Sequence, residues 1–177
     1  NGYIHADIDN RATITDWSGS GPDDENGHGT HVTGSVAGNG ARSGGNIRGM
    51  AYNSSVYFQA LETDGGWLNT PSNLSQLFTQ AYNNGARVHT NSWGSQSSAL
   101  WGAYTAESYD VDWSMFYYPD LLVLFAGGND GRDGNSDGKV DQNSISPPST
   151  SKSTVTVGAS ENIRGSGGFQ GTWGGGW

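Results

Sequence analysis

The plainest pattern in the chain is an apolar stripe between Ser72 and Gly85. Leu74, Leu77, Phe78, Ala81 and Tyr82 fall at i, i+3, i+4, i+7 and i+8, the spacing that lines one face of an α-helix. Ser72, just after Pro71, reads as its N-cap, and Asn83-Asn84-Gly85 as its left-handed stop. A second helix is predicted over 105–118, with Val111, Met115 and Tyr118 on one face and Pro119 past its end. Val32 and Val36, four apart among small residues, predict a closely packed helix ending near Gly38. The unbroken apolar run 121–126 predicts a central strand of a parallel sheet, covered on both faces. Residues 55–61 read as a mostly buried strand, and 87–91 and 154–159 as further strands. Shorter β-prone runs lie at Tyr3-Ile4 and 12–15. Strands and helices alternate, so the expected fold class is α/β, a parallel sheet flanked by helices and built from βαβ units.

Composition changes this picture little. With 177 residues the chain is one domain long, and its 29 glycines are spread without a collagen period, which marks a loop-rich globular protein. The net charge of −9 argues against nucleic acid and against anionic membrane surfaces, since both attract Lys and Arg. It fits a secreted, extracellular protein or one that binds a metal. There is no cysteine, so thiolate metal sites are excluded. No apolar stretch approaches the ~18 residues of a membrane span. The absence of an initiating Met and of a signal peptide leads us to expect a processed or truncated piece. The tail from Gly165 to Trp177 reads as loop. Trp17, Trp67, Trp101 and Trp113 share no period, which favours packing over a carbohydrate-binding surface.

Candidate chemistry gathers at the carboxyl ends of the predicted strands, where open α/β sheets place their sites. Those ends read Asp64-Gly65-Gly66, Ser92-Trp93-Gly94 and Gly127-Gly128-Asn129. Glycine on each rim lets a ligand backbone come close. His28, cleared of bulk by Gly27 and Gly29 at a loop-to-helix junction, is a candidate general base. Asn129 leaves a buried strand through two glycines, where its amide can donate into a cleft. Acyl transfer needs such a donor at the developing oxyanion. A third stretch, Asp133-Gly134-Asn135-Ser136-Asp137-Gly138-Lys139-Val140-Asp141, alternates oxygen ligands, with glycine at the sixth place and an acid at the ninth. That is the first part of an EF-hand-type loop. Asp133, Asn135, Asp137, the Lys139 carbonyl and Asp141 are the candidate Ca2+ ligands, and residues 130–145 a calcium-binding insertion loop. Ser144 stands where a bidentate Glu is wanted, so the affinity should be modest. Asp7 and Asp9 begin a similar pattern that Arg11 and Ala12 break, so a solvated turn is expected there. Gly29 rather than Glu follows His28, so a zinc protease pattern is absent.

Taken in order, the motifs resemble one family. They are Asn26-Gly27-His28-Gly29-Thr30-His31-Val32, Gly49-Met50-Ala51, Gly65-Gly66, His89-Thr90-Asn91-Ser92-Trp93-Gly94, Gly128-Asn129, and Ser146-Pro147-Pro148-Ser149 before the last strand. Their order is similar to that of the subtilisin-like serine proteases, nearest the alkaline, oxidatively stable bacterial branch. The resemblance implies that residues 1–177 are the central portion of one catalytic domain. It makes His28 the triad base, His31 a structural histidine and Asn129 the oxyanion donor. Ser92, Trp93 and Gly94 would pair with substrate and wall its pocket, Gly65 and Gly66 would flank the peptide, and Ala126, Gly127 and Gly128 would form the pocket floor. Polypeptides are the implied substrates, bound as an added strand, and a monomer is expected. The family's Asp-Thr/Ser-Gly and Gly-Thr-Ser-Met-Ala strings are missing here. The expectation is therefore a serine endopeptidase in the parent protein and no triad hydrolysis by this piece. The alternative is a non-catalytic calcium- and peptide-binding pseudoprotease module.

Overall fold

Two short parallel ladders carry the fold of this computed structural model, which describes residues 5–8, 10–129, 131 and 133–159. Contacts divide the chain into two units, one of Asn1–Ser72 with Asn83–Ala86, the other of Asn73–Tyr82 with Arg87–Trp177. The expected strand at Tyr3-Ile4, residue Asp9 and the tail from Gly165 lie outside the described residues.

In the first unit, β1 (Ala12–Asp16) pairs in parallel with β2 (Val56–Ala60), Ala12 opposite Val56 and Asp16 opposite Ala60. The chain crosses between them through α1 (His28–Ala37). The apolar core is thin, consisting of Ile8, Ala37, Ala60 and Leu61. α1 does not bury Val32 and Val36 as its spacing predicts. Thr33 and Ala37 are buried instead, while Val36 is 38% exposed. The reason is close backbone approach: a Cβ on Gly49 would lie 2.6–2.7 Å from the Val36 and Ala37 backbone. Small side chains therefore face inward. β2 is half-buried along most of its length rather than mostly buried. The Asp7–Arg11 turn is not simply solvated either. Arg11 Nη1 donates to Ser54 O (2.6 Å), and Nη2 to Asp7 O (2.7 Å) and Ala37 O (2.6 Å). One guanidinium thus ties that turn to the end of α1 and to the entry of β2, where apolar contact is scarce.

The second unit holds the larger core. β4 (Leu122–Ala126) lies between β3 (Val88–Asn91) and β5 (Val155–Val157), all parallel. α2 (Ser75–Asn83) buries Leu77, Phe78 and Ala81, with Leu74 just ahead of it. The N-terminal cap is Asn73, not Ser72: its Oδ1 accepts from Ser75 N (2.9 Å). Asn73 sits two residues before the helix, within reach of the free N–H groups. The stop is as expected, Gly85 having φ +91°.

α3 (Ala106–Tyr117) opens on a capping box of Thr105 and Ser108. It buries Ser108, Val111 and Ser114, whereas Met115 and Tyr118 are only half-buried. The serines can go inside because their hydroxyls find partners, Ser114 Oγ at Asp110 O (2.7 Å) and Ser108 Oγ at Thr150 Oγ1 (2.8 Å). β4 is central, as its apolar run predicts, but among the described residues only one face is covered. Val123 and Phe125 are buried, while Val88, Leu122, Val155 and Val157, on the other face, are 39–62% exposed. Among the described residues no helix is long and apolar enough to cross a membrane.

Candidate active site

The carboxyl ends of β3 and β4 lie side by side because Asn91 is in register with Phe125. The chain therefore leaves both strands at one edge, as Ser92-Trp93-Gly94 and as Gly127-Gly128-Asn129. Trp93 is steadied by an edge-to-face contact with Phe125, ring centroids 5.2 Å apart. Gly127 N donates to Val157 O (2.8 Å), continuing the β4–β5 ladder past its last regular residue. The candidate floor from Ala126 to Gly128 is thus anchored on one side by β5. Asn129 follows it, exposed.

The two glycine rims meet a segment that sequence reasoning assigned no role. Ser146 Oγ lies 2.9 Å from where a Cβ on Gly94 would stand and 3.2 Å from that of Gly128. Ser146 N donates to Gly127 O (3.4 Å), and Pro147 O accepts from Ser95 N (2.8 Å). Ser146 and Pro147 therefore fill the space that both glycines leave open. The signal available in the sequence was the coincidence of two side-chain-free rims. It could not say which distant segment fills them.

The approach of Ser146 to this edge is pinned from α3. Asp112 Oδ1 accepts from Ser151 Oγ (2.6 Å) and Ser153 N (2.8 Å), and its Oδ2 from Tyr104 Oη (2.7 Å) and Lys152 N (3.2 Å). Burial alone would raise this carboxyl. The Ser151 and Tyr104 bonds, with the two backbone donors, outweigh it and hold it at about 2. The same bond pushes the Tyr104 phenol up to about 12.

In the first unit, His28 is the first residue of α1 and is exposed, as is His31. Gly27 before it adopts φ +80°, a left-handed conformation in which a side chain would be strained. The loop preceding α1 reaches the carboxyl end of β2, where Asn26 N meets Glu62 Oε2 at 3.5 Å. Gly65 and Gly66 form the turn just beyond, with Gly66 N donating to Thr63 O (2.8 Å). His28, Gly65 and Gly66 thus share one end of one unit. Ser92, Trp93, Gly94, Ala126, Gly127, Gly128 and Asn129 share one edge of the other.

The loop from Asp133 to Asp141 is closed by hydrogen bonds of its own. Asp133 accepts from Asp137 N and Gly138 N (both 2.9 Å), Asn135 Oδ1 from Asp137 N (3.0 Å), Asp137 Oδ1 from Lys139 N (2.9 Å) and Asp141 Oδ2 from Gly134 N (2.9 Å). The donor set is all oxygen, which suits a hard cation. In the described structure these oxygens serve the loop's own N–H groups, and no three His, Asp or Glu side chains converge closely enough to hold a metal. Asp130 and Arg132 lie outside the described residues.

Comparison with known proteins bears on the family and the fold. The profile of the subtilase family (Peptidase_S8) matches residues 2–168. The chain is 33% identical over 168 residues to the serine protease/ABC transporter B family protein tagD of Dictyostelium discoideum. That match covers 90% of this chain and 9% of tagD. Its relative tagB, from the same organism, is 33% identical over 140 residues, 77% of this chain and 7% of tagB. The chain therefore spans less than a tenth of the curated relatives it matches. Among solved structures it superposes on the psychrophilic subtilisin-like protease Apa1 of Pseudoalteromonas sp. AS-11. The TM-score is 0.63 at 26% identity, covering 88% of this chain and 33% of that one. It shares its fold with the prenylagaramide maturation protease PagA, with a TM-score of 0.54 at 21% identity over 88% of this chain and 50% of that one. The family profile over residues 2–168, together with the shared parallel α/β fold, shows that the chain belongs to the subtilase family, whose members are in general serine endopeptidases acting on polypeptides.

Proposed function

We propose that this chain is the central part of a secreted serine endopeptidase domain, nearest the alkaline bacterial branch, in which His28 is the general base and Asn129 the oxyanion donor. The observation that carries the reading is the shared edge at the ends of β3 and β4, where the segments Ser92–Gly94 and Ala126–Asn129 leave side by side. An extended peptide lying along Ser92-Trp93-Gly94 pairs with their backbone. The side chain ahead of the scissile bond then faces Trp93, an apolar wall. His28, exposed at the start of α1, takes the proton of an attacking hydroxyl and returns it to the leaving amine. Asn129 donates its amide N–H to the oxyanion. Loss of that donor costs roughly 10²–10³ in turnover in a subtilisin, a magnitude taken from there rather than from this chain.

Calcium belongs to the same proposal. Asp133, Asn135, Asp137, the Lys139 carbonyl and Asp141 would hold it, and its role would be to brace the loop that follows Asn129. The test of the catalytic reading is labelling with a serine-directed fluorophosphonate. The 177-residue chain is expected not to label, whereas the full gene product is expected to label and to lose labelling in His28→Ala. Labelling of the short chain, or labelling of the full product that survives a folded His28→Ala, would overturn it.

A further inference from the structure

A helix begins with backbone N–H groups that have no partner within the helix. In α1 these lie around His28, and Gly27 at the cap has no side chain to satisfy them. Asp24 does so from outside the helix. Its Oδ1 accepts from Gly27 N (3.0 Å) and its Oδ2 from Thr30 N (2.6 Å), one bond on each side of His28. The same carboxylate shapes the residue in between. A Cβ on Gly29 would stand 3.5 Å from Asp24 Oδ2 and 3.1 Å from Phe58 Cζ on β2. The helix start is thus held between a carboxylate and an aromatic ring. A negative group also suits the positive end of the helix dipole. Burial raises the Asp24 carboxyl, the bonds from Thr30 and Gly27 lower it further, and the net position is below the ordinary carboxylate value. Glu62 faces it from the end of β2.

We propose that Asp24 is the positioning residue for His28. By clamping the backbone at Gly27 and Thr30 it fixes the direction in which the imidazole leaves α1, while touching no reacting atom. Its catalytic meaning rests on the function proposed above, but the clamp does not.

The experiment uses NMR on the 177-residue chain. In wild type, His28 is expected to give one set of ring signals, with slowed amide exchange at Gly27 and Thr30. Asp24→Ala should speed exchange at both amides by about tenfold or more, the loss expected for a charge-assisted bond. It should also broaden or split the His28 ring signals while leaving β4 exchange unchanged. Asp24→Asn keeps one acceptor oxygen, so one of the two amides should stay slow and the ring signals should partly recover. In the full gene product, Asp24→Ala should lower kcat and leave KM unchanged. Unmoved His28 signals and unchanged Gly27 and Thr30 exchange in Asp24→Ala would overturn the proposal, even if the protein proves a working protease. If Asp24→Ala unfolds, Asp24→Asn decides: both amides as slow as wild type would overturn it equally. If the full product proves inactive while the NMR changes appear, the clamp stands and the proposed function fails.

Discussion

Acid should loosen the second unit through a single ring. His89 lies on β3, edge-on to Phe78 with centroids 4.9 Å apart. Asn91 Nδ2 gives one hydrogen to Leu124 O (3.1 Å) and faces His89 Nδ1 at 3.0 Å, so the neutral ring serves there as acceptor. Burial lowers this histidine to about 4 from an ordinary 6.5. Between those two values the unfolded chain binds a proton that the folded chain refuses. Stability is therefore full above pH 6.5 and falls by about 1.4 kcal/mol for each pH unit below it, reaching a loss of about 3 kcal/mol near pH 4. That is a large part of the ~5–15 kcal/mol typical of a domain. The assay is the urea midpoint, followed by near-UV circular dichroism from pH 7 to pH 4, for wild type and His89→Gln. The variant should be less stable at pH 7, by about 1 kcal/mol for the lost ring contact. Its profile should be flatter below 6.5, so that the two cross and the variant is the more stable by about 2 kcal/mol near pH 4. His5, His28 and His31 are exposed and present in both proteins, so their contribution cancels in the difference. Parallel profiles over the whole range would refute the reasoning.

Asp112→Asn should cost about 1 kcal/mol at pH 7 by urea denaturation, since a carboxyl held at about 2 is worth roughly twice that before solvent screening. Because its folded value is depressed, this contribution is present above about pH 4 and lost toward pH 2, and the variant should converge on wild type there. Gly29→Ala should change stability by less than about 1 kcal/mol in urea, because the helix-propensity gain offsets the few tenths of an ångström by which the Phe58 ring tip must move. Ser146→Leu should destabilise the chain by about 1–3 kcal/mol in urea, because Ser146 is buried and its Oγ already stands 2.9 Å and 3.2 Å from the Cβ positions of Gly94 and Gly128. Calorimetry with calcium should show binding to the intact chain and none to Asp137→Ala.

Much of this protein was legible in one dimension. The 3.6-residue stripe placed α2 to within a few residues, because the burial of Leu74, Leu77, Phe78 and Ala81 needs no distant information beyond a core to face. The run 121–126 announced a central strand for the same reason. The order of motifs from Asn26-Gly27-His28 to Ser146-Pro147-Pro148 carried the family. The sequence alone did not determine which residues of α1 and α3 face inward. There a passing backbone at Gly49 or a hydroxyl partner at Thr150 overrides hydrophobicity, and Thr33 and Ser108 go in where Val36 and Met115 do not. Tertiary structure also decided that Asn73 rather than Ser72 caps α2, and that Arg11 ties together three carbonyls instead of dissolving into a turn. It brought Ser146, across more than fifty residues of chain, to the glycines at 94. Periodicity reports what each element has to offer. Close backbone approach and long-range hydrogen bonds belong to pairs of elements, and they appear only once the chain has brought those pairs together.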